Sequence, residues 1–254
     1  MAQYGLNVAA VSRLKGNTVA GALAYILRDR LYDEYSGKTH GYSHLDDFLC
    51  YEVLLPDDAP REFLDPIILG RAMENAERRY DARTGRILWL SLPNDLEPDD
   101  WRELVKDFVS EAFISLGMCA VVAIHDDKHP SDPARDNPNA HVLLTDRPVD
   151  RDGFCAKKNR SWNKRGNIRL WRRQWAEAQN RMFTEKGLSV RVTHESLEVQ
   201  GSRREPTISL GRAAMALEDK GIATVRGGRN REIQERNRNL KRPRERGRSR
   251  GLER

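Results

Sequence analysis

The chain has 254 residues, of which 32% are charged and 39% are hydrophobic, enough for one large domain or for a domain with an extension. Three widely spaced cysteines argue against a disulfide scaffold and a CxxC zinc site. No apolar run is long enough for membrane insertion, so we expect a soluble, cytoplasmic protein.

The net charge of +6 is unevenly distributed. Residues 226–254 contain twelve Arg or Lys and four Glu, a local net charge of +8, which leaves the first 225 residues at −2. A slightly acidic body with a strongly basic tail is typical of a non-specific nucleic-acid arm, and a disordered solubility tail is the alternative. We expect Arg229 and Arg231 to contact DNA phosphates there.

The first third of the chain predicts strands over 4–12 and 48–55, with a helix between them. Asn17-Thr18 can cap this helix, which should run to about Arg30. Tyr25 falls outside its apolar face, near small residues at 21 and 22 and one turn from Arg28. Space beside the ring and a nearby guanidinium suit a phosphate. A second helix is predicted over 61–81.

The remaining elements alternate between strands and helices. A strand over 86–92 precedes a helix that opens at Pro98 and ends before Gly117. Strands over 120–126 and 140–145 follow, then a basic stretch in which we expect Lys157, Lys158 and Arg160 to contact DNA. A long helix closed by Gly187 comes next and carries two tryptophans at core spacing. Beyond residue 190 we expect an extended piece, a helix near 210–220 and a charged helix or coil. This order predicts an α+β sandwich.

Residues 137–145, Asn-Pro-Asn-Ala-His-Val-Leu-Leu-Thr, form the most informative segment. Because its apolar end reads as a strand, Asn139 and His141 should share one face, and His125 could lie on a neighbouring strand. Three such side chains can occupy one side of a divalent metal and leave its other positions open for substrate oxygens. A buried Asn and two unconnected histidines are the alternative.

Several short motifs accompany this segment in a fixed order. They include Tyr4-Gly-Leu-Asn, the helix with Tyr25, His40-Gly-Tyr-Ser, Leu54-Leu-Pro, Ser91-Leu-Pro, Gly153-Phe, Gln200-Gly and Gly228-Arg-Asn-Arg-Glu-Ile. Together with the motif around His141, they resemble the MobA/MobL family of conjugative relaxases, and the resemblance covers nearly the whole chain.

The resemblance implies an HUH relaxase fold, a palm-like and mainly antiparallel sheet flanked by helices, over residues 1–190. Residues 191–254 would be a basic extension that is partly helical or flexible. It also implies a plasmid mobilisation enzyme that nicks one strand at an origin of transfer through a phosphotyrosine on Tyr25 and can rejoin it. Mn²⁺ or Mg²⁺ would be held by His125, Asn139 and His141. Single-stranded origin DNA, accessory relaxosome proteins and coupling proteins would be the partners.

The sequence departs from this family at the expected metal site. The usual motif is Asn-Pro-His-Ala-His, and Asn139 stands in place of its first histidine, while Ile87 and Trp89 stand where the family tends to carry acidic residues. A neutral amide oxygen is a weaker ligand, so a catalytically impaired DNA-binding relative is an alternative. A rolling-circle replication initiator is another alternative, although in those proteins the tyrosine typically follows the histidine motif, whereas Tyr25 precedes it here. We expect His40 and His44 in a loop where DNA enters.

Overall fold

The computed structural model describes residues 4–129, 132–133 and 136–240, which contain both strands and helices. The strands are β1 (Leu6–Ser12), β2 (Arg30–Asp33), β3 (Lys38–Gly41), β4 (Phe48–Leu54), β5 (Arg83–Ser91), β6 (Ala120–His125), β7 (Asn139–Thr145), β8 (Val149–Asp150) and β9 (Gly153–Phe154). The helices are α1 (Val19–Leu27), α2 (Pro66–Asn75), α3 (Pro98–Ala112), α4 (Arg165–Glu185), α5 (Arg212–Asp219) and α6 (Val225–Leu240). The chain divides into two compact units, Met1–His194 and Glu195–Arg254.

A five-stranded sheet in the order β1-β5-β7-β6-β4 forms the centre of the first unit. Every neighbouring pair in this sheet is antiparallel. β7 is the middle strand, so the segment that carries Asn139 and His141 is flanked by strands on both sides. The predicted α+β class with a mainly antiparallel sheet is confirmed.

The two faces of the sheet are covered by different helices. Helices α3 and α4 pack on one face, where Phe108 and Trp175 join the even-numbered leucines of β5 in a core. Helices α1 and α2 pack on the other face, against Ile87 and Leu143. Because both faces are buried, the central strands are apolar on both sides instead of alternating with polar residues. The predicted core position of the tryptophans on α4 is confirmed.

Two helix ends differ from the prediction. The hydroxyl of Thr18 caps α1 by accepting from the Gly21 amide, but the helix stops at Leu27 because Arg28 adopts a left-handed conformation (φ 55°, ψ 37°). The helix predicted over 61–81 is a 3₁₀ turn followed by the shorter α2. Asp65 has an extended backbone that breaks the continuous helix, and its carboxylate caps α2, which starts with a proline.

A hairpin formed by β2 and β3 lies beside α1 and was absent from the predicted elements. Its turn is fixed by Gly37, at φ 67°, and by the Asp33 carboxylate, which accepts from the Ser36 hydroxyl at 2.5 Å. His40 therefore lies on a strand, and the loop predicted for it is wrong, whereas His44 does lie in a turn.

The second unit contains α5 and α6, so the helix expected near 210–220 is confirmed and the charged segment after it is helical through Leu240. The last fourteen residues of the basic tail lie outside the described residues. In the part of the chain that the structure covers, no helix combines the length and apolar character needed to cross a bilayer.

Candidate active site on the sheet

The two predicted histidines meet on the sheet face that α1 covers. In the register of β6 and β7, His125 lies directly opposite Asn139, and His141 lies opposite Ala123. The histidines are therefore diagonal neighbours, with ring centroids 4.7 Å apart, and both are buried. The antiparallel pairing of these two strands thus brings together side chains that are sixteen positions apart in sequence.

Tyr25 lies next to this histidine pair, in the last turn of α1. Its ring meets His141 edge-on at a centroid distance of 5.2 Å and meets Tyr42 in the same way at 5.3 Å. The half-buried ring lines a cleft of about 250 Å³ together with Gly21, Ala22 and Trp89. The small residues leave the open space beside the ring that the sequence predicted, so a substrate group can approach the phenol.

Arg28 follows Tyr25 by one turn and makes contacts in four directions. Its Nε and Nη2 atoms donate to the two carboxylate oxygens of Asp47, each at 2.7 Å, and its Nη1 donates to the Tyr25 carbonyl at 2.6 Å. Nη2 also lies 3.1 Å from Nδ1 of His125. The guanidinium carbon stands 4.5 Å from the centroid of the Tyr25 ring. Only 7% of the Arg28 side chain is exposed, so these contacts are largely shielded from solvent.

These contacts fix the charges around the phenol. The hydrogen bonds from Arg28 hold the pKa of Asp47 below its usual value, against the effect of burial. Burial alone would lower the pKa of Arg28, but Asp47 and then the side chain of Tyr25, each through a hydrogen bond and through charge, raise it. Arg28 is therefore a permanent cation in contact with both a carboxylate and the phenol.

His125 is held as one neutral tautomer. Its Nε2 lies 2.7 Å from the carbonyl oxygen of Ile26, which can only accept, so Nε2 carries the hydrogen. A guanidinium can only donate, so Nδ1 must offer its lone pair to Arg28. Burial, reinforced by the positive charge of Arg28, lowers the pKa of His125 although the Ile26 hydrogen bond opposes the shift. Both ring nitrogens are thus engaged by the protein.

The contacts of His125 do not fit a divalent ion in this arrangement. The lone pair that His125 would give to a metal faces a guanidinium. Asn139 donates from Nδ2 to the Asn137 carbonyl at 2.8 Å, which leaves its amide oxygen, the atom that would bind an ion, as an acceptor. Trp89, on β5, lies directly opposite His141, where a carboxylate would have added a ligand. Within the described ranges, no three His, Cys, Asp or Glu side chains are grouped closely enough to hold an ion.

The predicted DNA contact Lys158 lies away from the histidine pair within the first unit. Lys158 pairs with Glu77 and with Asp146, which follows β7 at the end opposite His141, about 15–20 Å away by strand geometry. Lys157 and Arg160 are exposed nearby in sequence. In the second unit, Arg229 is exposed, and Arg231 forms an ion pair with Glu218 at 2.6 Å.

Two residues of the site had no assigned role in the sequence prediction. Tyr42 belongs to the motif His40-Gly-Tyr-Ser, and that motif was the available signal for it. Asp47 directly precedes β4, a region with two consecutive aspartates and no periodic pattern that would indicate a partner for Arg28. Its role follows only from the three-dimensional contact.

Comparison with known sequences gives one consistent family. The MobA/MobL family model matches residues 17–220. A probable mobilization protein MobA of Bifidobacterium longum is 32% identical over 93% of this chain and 48% of its own length. A probable conjugal transfer protein TraA of Sinorhizobium fredii is 31% identical over 87% of this chain and 22% of its own length. The chain thus spans about half of one relative and about a fifth of the other.

Two solved structures have similar folds. One, from work on the molecular basis of vancomycin resistance transfer in Staphylococcus aureus, has a TM-score of 0.68 and 27% identity, and covers 77% of this chain and 100% of that one. The other is the conjugative relaxase TrwC in complex with oriT DNA in a metal-free structure, with a TM-score of 0.51, 11% identity and coverage of 93% and 99%. At that identity the second match bears on the fold alone, and the predicted relaxase fold is confirmed.

Proposed function

The chain belongs to the MobA/MobL family, and we propose from this premise that it is a plasmid mobilisation relaxase that uses Tyr25 as its nucleophile. It would nick one DNA strand at an origin of transfer and hold the cut end as a phosphotyrosine. The observation that carries the proposal is the placement of Tyr25, whose ring contacts His141 and Arg28 at the edge of an open cleft.

In the proposed reaction, the hydroxyl oxygen of Tyr25 forms a bond to phosphorus, and the bond between phosphorus and one deoxyribose oxygen breaks. The phenol gives up its proton to water, and the leaving oxygen takes up a proton, so no other reactant is consumed. A phenolate is itself a good leaving group, so the same site can run the step in reverse and rejoin the strand.

Each neighbour of Tyr25 has a defined role in this proposal. His141 and Tyr42 pack against the Tyr25 ring in T-shaped contacts, and Arg28 lies over its face, which restricts the direction of attack. The ring of Trp89, in the same cleft as Tyr25, offers a stacking surface for a base beside the scissile phosphate. The DNA backbone would be contacted by Lys157, Lys158, Arg160, Arg229 and Arg231.

A bound Mn²⁺ or Mg²⁺ would supply charge to the non-bridging phosphate oxygens. Since the contacts of His125 do not fit such an ion, the positive charge beside the phenol in the described arrangement is that of Arg28. Origin recognition, and assembly with accessory relaxosome and coupling proteins, are part of the same proposal.

Incubation with single-stranded origin DNA, followed by denaturing gel electrophoresis, tests the proposal. We expect a covalent protein–DNA adduct in the unaltered protein and none in Tyr25→Phe. The DNA affinity of Tyr25→Phe should stay within a few-fold of the unaltered value, because the substitution removes only one hydroxyl. Tyr32→Phe is the matched control, since Tyr32 is 64% exposed on the hairpin. An undiminished adduct in Tyr25→Phe would refute the assignment.

A second candidate is a DNA-binding relative with impaired nicking, which the Asn at 139 and the apolar Ile87 and Trp89 favour. The same gel separates the two functions, because this candidate binds origin DNA with the affinity of a relaxase but yields no adduct in any divalent salt.

A further inference from the structure

Arg28 holds a backbone conformation that an arginine normally avoids. In the described part of the chain it is the single non-glycine residue with positive φ, at 55°. A side chain with a Cβ is disfavoured there, and such outliers persist when their surroundings hold them in place. The hydrogen bonds to Asp47, to the Tyr25 carbonyl and to His125 are that support. With this conformation at the end of α1, the guanidinium lies beside the Tyr25 ring and Nδ1 of His125.

The position of the guanidinium conflicts with a metal at His125. Nη2 of Arg28 donates to Nδ1, which is the ring atom with a free electron pair, and Nε2 is already bound to Ile26. An ion at Nδ1 would have to displace Arg28 from its position 3.1 Å away. That displacement would break the pair with Asp47, whose side chain is only 20% exposed, and it would bring two positive charges together.

We propose that Arg28 keeps divalent cations off His125 and supplies the fixed positive charge of this site from the chain itself. Arg28 is suited to this role because it contacts both the ring of Tyr25 and the ring of His125, and Asp47 fixes its orientation through two hydrogen bonds. The exclusion of metal stands on the geometry of His125 alone, whereas the use of the charge in strand transfer rests on the proposed function.

The exclusion is tested by measuring Mn²⁺ binding through the electron paramagnetic resonance signal of the free ion, without any DNA. We expect the unaltered protein to show no Mn²⁺ binding that depends on His125, so His125→Ala should leave its Mn²⁺ titration unchanged. Arg28→Gly, which suits the positive φ, should free Nδ1 and raise Mn²⁺ affinity by about tenfold or more, equal to about 1.4 kcal/mol. Adding Asn139→His should tighten it further, because Mn²⁺ accepts imidazole nitrogen.

Arg30→Gln is the matched control, since Arg30 is exposed two residues away and its loss removes the same charge. Arg28→Gln repeats the test should Arg28→Gly fail to fold, as judged by thermal unfolding. One-to-one Mn²⁺ binding by the unaltered protein that is lost in His125→Ala would overturn the proposal. So would Arg28 variants that fold and bind Mn²⁺ no better than the unaltered protein.

The use of the charge is tested in the adduct assay with a chelator present. Unaltered protein should form the adduct at the same rate with and without the chelator. Arg28→Gly should lose most of it and recover when guanidinium ions, but not sodium ions at equal ionic strength, are added. Absence of any adduct in the unaltered protein would refute the proposed function and with it the use of the charge, while the Mn²⁺ titration still decides the exclusion. Strict dependence on a divalent salt would refute the use of the charge alone.

Discussion

Replacing Asp47 by Asn should destabilise the first unit and slow adduct formation, because Asp47 anchors Arg28. The carboxylate accepts two hydrogen bonds at 2.7 Å from a guanidinium that is 7% exposed, and is itself 20% exposed. Breaking a fully buried pair costs about 3–5 kcal/mol. Asn keeps one acceptor and the pair is partly exposed, so we expect a loss of about 2 kcal/mol in the free energy of unfolding.

The loss should depend on pH in a defined direction. Arg28 holds the pKa of Asp47 below its unfolded value of about 3.9. The stabilisation is therefore complete above that value and disappears as the pH falls through the lower, folded pKa. Urea denaturation of the two proteins at neutral pH and at successively lower pH measures this: the difference between them should shrink below about pH 4.

Asp46→Asn is the matched control, because it makes the same chemical change one residue earlier, at an exposed position. It should alter the free energy of unfolding by less than about 0.5 kcal/mol at any pH. A difference for Asp47→Asn that stays constant between neutral and acidic pH would show that the ion pair with Arg28 does not hold this part of the site.

Two further predictions concern DNA binding. Deleting residues 226–254 should weaken binding of any single-stranded DNA, as measured by fluorescence anisotropy. The slope of log affinity against log salt should become shallower by about 0.7 for each phosphate that the tail neutralises, and an unchanged slope would contradict a role for the basic tail. Trp89→Ala should weaken binding of a short strand spanning the nick site by about tenfold or more, as expected when a stacking surface is removed, whereas Trp89→Phe should restore most of it; equal effects in both variants would point to disturbed packing instead.

The spacing within the motif allowed part of this site to be predicted from the sequence. Because side chains alternate along a strand, Asn139 and His141 had to share a face, and the small residues before Tyr25 indicated space beside its ring. The antiparallel register that sets His125 opposite Asn139 depends on the order of strands in the sheet, which no local pattern encodes.

The network around Arg28 could not be predicted for a related reason. Helical spacing suggested that α1 continues to about residue 30, with a guanidinium directed at phosphate. Its left-handed conformation depends on a carboxylate nineteen residues later and on a histidine ninety-seven residues later. Contacts between such distant residues outweigh local helix propensity, which is worth less than about 1 kcal/mol per residue.

The most direct test of the central claim is to map the attachment site of DNA on the protein. The adduct formed with origin DNA would be digested with protease and nuclease, and the nucleotide-bearing peptide sequenced by mass spectrometry. We predict a nucleotide attached through its phosphate to the hydroxyl oxygen of Tyr25. Attachment at Tyr32, Tyr35 or Tyr42, or origin DNA that binds tightly and never becomes attached, would contradict the account.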